Sequence, residues 1–134
     1  MPFVDSIYRA DPSQRMLIGS SYGGLFTLYT LLTKPTLFSR YIVSSPAVTF
    51  ASGAAIAQEK AYAAAHKELP ARVFIAVGDA EPLAQPVRAL MGTMRGRKYR
   101  GLELETRMIA GERHSGNKSE TFNRGLRFLF GGTP

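Results

Sequence analysis

LIGSSYGGLF, Leu17 to Phe26, sets two serines among glycines between two apolar runs. Upstream, RMLIG (Arg15 to Gly19) is a short apolar run of buried-strand type. Downstream, Leu25, Leu28, Tyr29, Leu31 and Leu32 recur at helical spacing until Pro35 stops them. Gly19, Ser21 and Gly23 therefore match G-x-S-x-G at a turn from strand to helix, and that context lifts the motif above a chance match. A serine at such a turn is held in a strained backbone conformation with its hydroxyl in the open. The flanking glycines are expected to make room for closely approaching backbone. The helix that follows offers free N–H groups, that of Tyr22 first, to an oxyanion. The rival reading is a glycine-rich turn without chemistry, such as a phosphate-binding loop.

Outward from this stretch, strands and helices alternate. PFVDSIYRADPSQ reads as a short helix or turn ending near Asp11 and Pro12. RYIVSSP, from Arg40, is a second buried strand, and the alanine-rich ASGAAIAQEKAYAAAHKEL favours a helix. ARVFIAVGDAEP holds a third strand, Arg72 to Val77, closed by Gly78. A helix starting near Pro82 and Pro86 runs into the basic loop MRGRKYRG, residues 94–101. LELETRMIAGERH alternates from Leu102 as a fourth strand, and ETFNRGLRFLF is a last amphipathic helix. The alternation predicts an α/β fold, a mostly parallel sheet of about four strands flanked by helices on both faces. No repeat or linker divides it, so residues 1–134 are expected to form one domain.

Composition narrows the classes. The chain has 134 residues, 45% of them hydrophobic, enough to bury a core. No apolar run approaches the roughly 20 residues of a membrane span, and no secretory leader is visible, so the expected compartment is the cytoplasm. The absence of cysteine excludes disulfides, thiolate metal sites and a cysteine nucleophile. Seventeen basic against ten acidic side chains give a net charge of +7, which favours anionic partners.

A serine hydroxyl needs a base, and the chain has two histidines. His66, in AAAHKEL, reads as an ordinary helix-surface residue. His114, in AGERHSGN, falls in a loop after the last strand, at the carboxyl end of the sheet and level with the Ser21 turn. The third member of a triad is a carboxylate after the third strand, where VGDAEPL offers both Asp79 and Glu81. Asp79 has the alternative role of capping the turn or the next helix. Asp11 and Glu112 are weaker candidates.

YRADPSQRMLIGSSYGGLFTLYTLLTKPTLFSRYIVSSPAV, AVGDAEP and GERHSG together resemble the α/β-hydrolases, in the esterase branch that includes esterase D-like and enterochelin esterase-like enzymes. The matching features are Tyr8-Arg9, Gly-Ser-Ser-Tyr-Gly-Gly-Leu-Phe, Lys34-Pro35, Phe38 and Ser44-Ser45-Pro46. The resemblance implies hydrolysis of a small or short-chain carboxylic ester through a serine acyl-enzyme, without a cofactor or metal. It assigns Ser21 as nucleophile and His114 as base, in the chain order serine, acid, histidine. It favours Glu81 over Asp79 as the acid, because such enzymes commonly carry their acid just before a proline. Ser20 departs from the pattern, standing where many relatives have histidine.

The resemblance covers only the C-terminal half of such enzymes, so the expected fold is a shortened α/β-hydrolase. The loop that supplies a second oxyanion donor has no counterpart here, and low activity is the expected consequence. RMLIG would become an exposed sheet edge, which predicts a homodimer or higher oligomer. The alternative function is an inactive hydrolase fragment that acts as a binding module, with Arg95, Arg97, Lys98, Tyr99 and Arg100 facing an anionic partner; nucleic acid is the less favoured choice.

Overall fold

The structure, a computed structural model, describes residues 1–131. Helix α1 (Pro2–Ile7) and a 3₁₀ turn (Pro12–Gln14) lead into strand β1 (Met16–Ser20). Helix α2 (Tyr22–Thr33), strand β2 (Arg40–Ser44), helix α3 (Phe50–Ala65) and strand β3 (Glu68–Gly78) follow. Helix α4 (Ala84–Arg97), strand β4 (Arg100–Ile109) and helix α5 (Asn117–Phe130) complete the order. The four strands are parallel and lie in the order β1-β2-β3-β4. Ser20 stands opposite Ser44, Ser44 opposite Ala76 and Ala76 opposite Arg107. Every strand therefore delivers its carboxyl end to one edge of the sheet.

Each crossover steps to the next strand in the same direction. Connections of a single hand then put α2, α3 and α4 on one face. The strand alternation matches this. Tyr41, Val43, Val73, Ile75 and Val77 pack with Leu28, Leu31, Tyr62, Val87 and Met91 of those helices. Ile42, Phe74 and Ala76 point the other way and pack with Leu129 of α5, flanked by Phe122 and Phe128. Gly125 lets α5 approach, since a Cβ there would press on the Ile42 side chain. Central strands β2 and β3 are buried on both faces and read as continuous apolar runs.

Three boundaries differ from the sequence expectation. β3 begins at Glu68, because the chain pairs with β4 before Pro70 and shifts register between Glu68 and Ala71. Proline lacks the N–H a ladder needs, so irregularity is confined there. Ala51, Ser52 and Gly53 hold left-handed angles, so α3 is kinked in its first turn. The stretch 94–101 is also not a loop: α4 continues to Arg97 and β4 begins at Arg100. Lys98, with φ of 53°, makes the left-handed turn between them.

That junction is anchored by a buried carboxylate. Glu59 is 1% exposed, and Arg97 donates to both its oxygens at 3.0 Å while Tyr99 Oη donates at 2.9 Å. Burial and the Glu59 carboxylate push the Tyr99 phenol up. Arg100 pairs with Glu68 at 2.7 Å and Arg95 bonds to Thr106. The aromatic and most of the cations of this segment thus face intramolecular partners.

Phe74 is fully buried beneath α5. Phe74→Ala is expected to cost about 3–5 kcal/mol of stability from lost burial and the cavity left behind, read as a fall in the urea midpoint at unchanged m-value.

Candidate active site

Ser21 ends β1 and starts α2 with φ of 59° and ψ of −116°, a combination that costs a non-glycine residue about 1–3 kcal/mol. The neighbouring chain holds it there. Ser21 N–H donates to Ser44 O at 3.0 Å, and Ala47 N–H and Leu25 N–H donate to Ser21 O at 3.0 Å. The hydroxyl caps no helix N–H. The half-buried residue thus stands at the sheet's carboxyl edge. Tyr22 N–H, the first of α2, lies beyond the reach of the helix's own hydrogen bonds.

The two glycines of the motif do different work. A Cβ on Gly19 would collide with the Gly23 carbonyl and Thr27 Oγ1. A Cβ on Gly23 would meet open space. The second close approach falls instead at Gly24, where a Cβ would lie 2.9 Å from Ser44 O and 3.1 Å from Pro46 Cα. Ser20 Oγ is buried without a hydrogen-bond partner among the described residues.

His114 and Glu81 come together at the same edge. Glu81 lies in the turn after β3 and His114 in the loop between β4 and α5. His114 Nδ1 is 2.5 Å from Glu81 Oε2, with the carboxyl side chain fully buried and the imidazole 38% exposed. The other oxygen, Oε1, accepts from Gly78 N–H at 2.8 Å, Ser45 Oγ at 2.5 Å and Asn117 Nδ2 at 3.2 Å. A buried carboxylate needs such donors to stay charged. With Nδ1–H committed to Glu81, Nε2 is the ring nitrogen left to accept a proton.

The remaining candidates are engaged elsewhere. Asp79 Oδ1 accepts from Gly111 N–H at 2.8 Å and ties the turn after β3 to that after β4. Asp11 accepts from Ser13 at the start of the 3₁₀ turn, on the amino side of β1. Glu112 contributes its carbonyl to Ala80 N–H at 3.1 Å. His66 follows α3 on the amino side of β3 and stacks on Tyr62 with centroids 4.2 Å apart. Ser45 and Asn117 were not singled out for a role by the sequence. Ser45 falls in the Ser44-Ser45-Pro46 stretch and Asn117 in the AGERHSGN loop, where nothing local marks either. Beside Ser21, the exposed rings of Tyr22 and Phe50 meet edge to face at 5.4 Å. They line an apolar groove of about 380 Å³ between α2 and α3, with Phe26 and Ala54.

A serine strained at a strand-to-helix turn, with a histidine–carboxylate pair on the same sheet edge, is the arrangement of an α/β-hydrolase fold. Residues 1–126 match the family described as "Putative esterase", and the chain belongs to that family. It is 27% identical over 134 residues to the ferri-bacillibactin esterase BesA of Bacillus subtilis, covering 95% of this chain and 46% of that protein. Over 49 residues it is 43% identical to a siderophore enterobactin esterase of Emericella nidulans, 35% of this chain and 16% of that one. An IroE-like serine hydrolase from Shewanella oneidensis superposes with a TM-score of 0.87 at 21% identity, over 96% of this chain and 43% of that one. The chain spans less than half the length of these relatives.

The contrast between the glycines is directly measurable. Gly19→Ala is expected to lower stability by about 1–3 kcal/mol through overpacking against backbone. Gly23→Ala should stay within about 1 kcal/mol of the parent. Urea unfolding of the two variants side by side checks this.

Proposed function

We propose that this chain carries the catalytic residues of a serine carboxylic-ester hydrolase. The observation that carries the reading is the Glu81–His114 bond at the sheet edge that also holds the strained Ser21. Ser21 Oγ attacks the acyl carbon while His114 Nε2 takes its proton. Glu81 holds the imidazole tautomer and stabilises the imidazolium. Tyr22 N–H donates to the oxyanion. The alcohol leaves with the proton from His114, and a water activated by the same nitrogen then frees Ser21. The substrate is a small-molecule ester. The names of the relatives, esterases of ferri-bacillibactin and enterobactin, favour a siderophore ester over a simple short-chain one.

Removal of each group tests the reading. Ser21→Ala and His114→Ala should each lower kcat by about a million-fold, and Glu81→Gln by about ten-thousand-fold. Ser20→Ala and Asp79→Asn should retain turnover. A fluorophosphonate should label Ser21 in the parent and not in Ser21→Ala, read by mass spectrometry. Turnover that survives Ser21→Ala overturns the assignment.

We also propose that the chain self-associates along β1. The strand pairs only with β2 among the described strands, and Ile18 on it is 37% exposed. Phe3, Ile7 and Tyr8 at α1, and Phe26 and Tyr29 on α2, are exposed as well. Two copies about a two-fold axis would pair β1 antiparallel with itself and cover unpaired backbone groups. Sedimentation at micromolar concentration should show a dimer or larger species that Ile18→Lys dissociates. A compact monomer of the parent chain overturns this proposal.

A further inference from the structure

Asn117 is fully buried at the first position of α5, where its side chain touches three separate pieces of the site. Its Oδ1 accepts from Ser44 Oγ at 3.0 Å and Thr121 Oγ1 at 3.2 Å. Its Nδ2 faces Ser45 Oγ at 2.9 Å, Glu81 Oε1 at 3.2 Å, Arg113 O at 3.0 Å and His114 O at 3.1 Å. Three of those four atoms are carbonyl or carboxylate oxygens, which only accept, so the amide nitrogen must be the group turned toward them. The orientation is therefore dictated by chemistry. One amide binds the end of β2, the acid and the main chain of the histidine loop.

Ser45 supplies a second, independent observation. It is fully buried and holds φ of 40°, a left-handed angle that glycine takes without strain and serine does not. Its N–H donates to Ala76 O at 2.8 Å, and its hydroxyl donates to Glu81 Oε1 at 2.5 Å. A serine at a position whose backbone suits glycine points to a use for the hydroxyl. Ser44, one residue back, offers its carbonyl to Ser21 N–H and its hydroxyl to Asn117. The end of β2 thus joins the elbow, through Ser44, Ser45 and Asn117, to both Glu81 and His114.

We propose that Asn117 and Ser45 are positioning residues of the Glu81–His114 pair. Together with Gly78 N–H they occupy Oε1 and turn Oε2 toward the His114 ring. Asn117 also fixes the histidine loop relative to β2, and hence relative to Ser21. This inference rests on the esterase reading for its kinetic arm, and its spectroscopic arm is independent of turnover.

The test compares Ser45→Gly, Ser45→Ala and Asn117→Asp, each in the parent chain and in Glu81→Gln. Ser45→Gly relieves the left-handed strain and removes the hydroxyl, so its melting temperature should not fall. Its kcat on a p-nitrophenyl ester should fall about tenfold, the rate equivalent of one lost hydrogen bond, with KM within about twofold. Ser45→Ala should lose kcat to the same extent. Asn117→Asp keeps the acceptor for Ser44 and Thr121 but loses the donor, and should lower kcat further. In the Glu81→Gln background, Ser45→Gly should change kcat by less than about twofold, because both changes act through one carboxylate. The His114 Nδ1–H proton, far downfield in the parent, should move upfield in Ser45→Gly. Full kcat with an unmoved resonance in Ser45→Gly, or additive losses in the double variant, overturns the proposal. If Asn117→Asp does not fold, the Ser45 variants decide. If the parent turns over no ester, the esterase reading fails by itself and the His114 resonance decides the positioning.

Discussion

A carboxylate with no access to water must be surrounded by donors, and at Glu81 that requirement organises the whole carboxyl edge of the sheet. Oε1 gathers Gly78 N–H, Ser45 Oγ and Asn117 Nδ2, and Oε2 meets His114 Nδ1. These donors come from the end of β3, the end of β2, the start of α5 and the loop before it. Local segments that have no reason to meet are brought within hydrogen-bond distance because an unpaired buried charge would cost more than ordering them. The imidazole is left with one committed nitrogen and one free one, the asymmetry a general base needs.

The elbow solves a related problem with backbone rather than side chains. Ser21 takes a conformation that a serine adopts at a cost, and three main-chain hydrogen bonds hold it there. The close packing that makes this possible is asymmetric. Gly19 faces the first turn of α2, and Gly24 faces the end of β2. Ser44 serves both halves of the site, its carbonyl on the Ser21 N–H and its hydroxyl on Asn117. Strain at Ser21 and order at Glu81 therefore depend on the same strand end, and α5 reaches it because Gly125 allows close packing on Ile42.

The basic run from Arg95 to Arg100 has a different structural meaning from the one its sequence invites. The net charge of +7 and the run from Arg95 to Arg100 suggest a face for anions. In the fold, Glu59 holds Arg97 and Tyr99, and Glu68 holds Arg100. The Glu59 set ties α3 to the junction of α4 and β4, and the Glu68 pair ties β3 to β4. Interactions that look like recognition in one dimension are internal supports in three.

The sequence by itself determined the alternation of strands and helices, the turn at Ser21, and the short set of groups able to act with it. Periodicity and punctuation are local: Pro35 stops α2, Gly78 closes β3, and G-x-S-x-G needs only its neighbours. It also left Asp79 and Glu81 equivalent until a resemblance favoured one, because two residues along a turn separate their directions in ways spacing does not show. Tertiary structure gives the two different partners, Gly111 N–H for Asp79 and His114 for Glu81. It decided which glycine is tight, since Gly19 meets the start of α2 and Gly24 the end of β2 only once the elbow is folded. It alone revealed Asn117 and Ser45, whose bonds to Glu81 and to each other span 36 and more residues. Hydrogen bonds of that range are a product of strand order and helix docking, and no local pattern of residues encodes them.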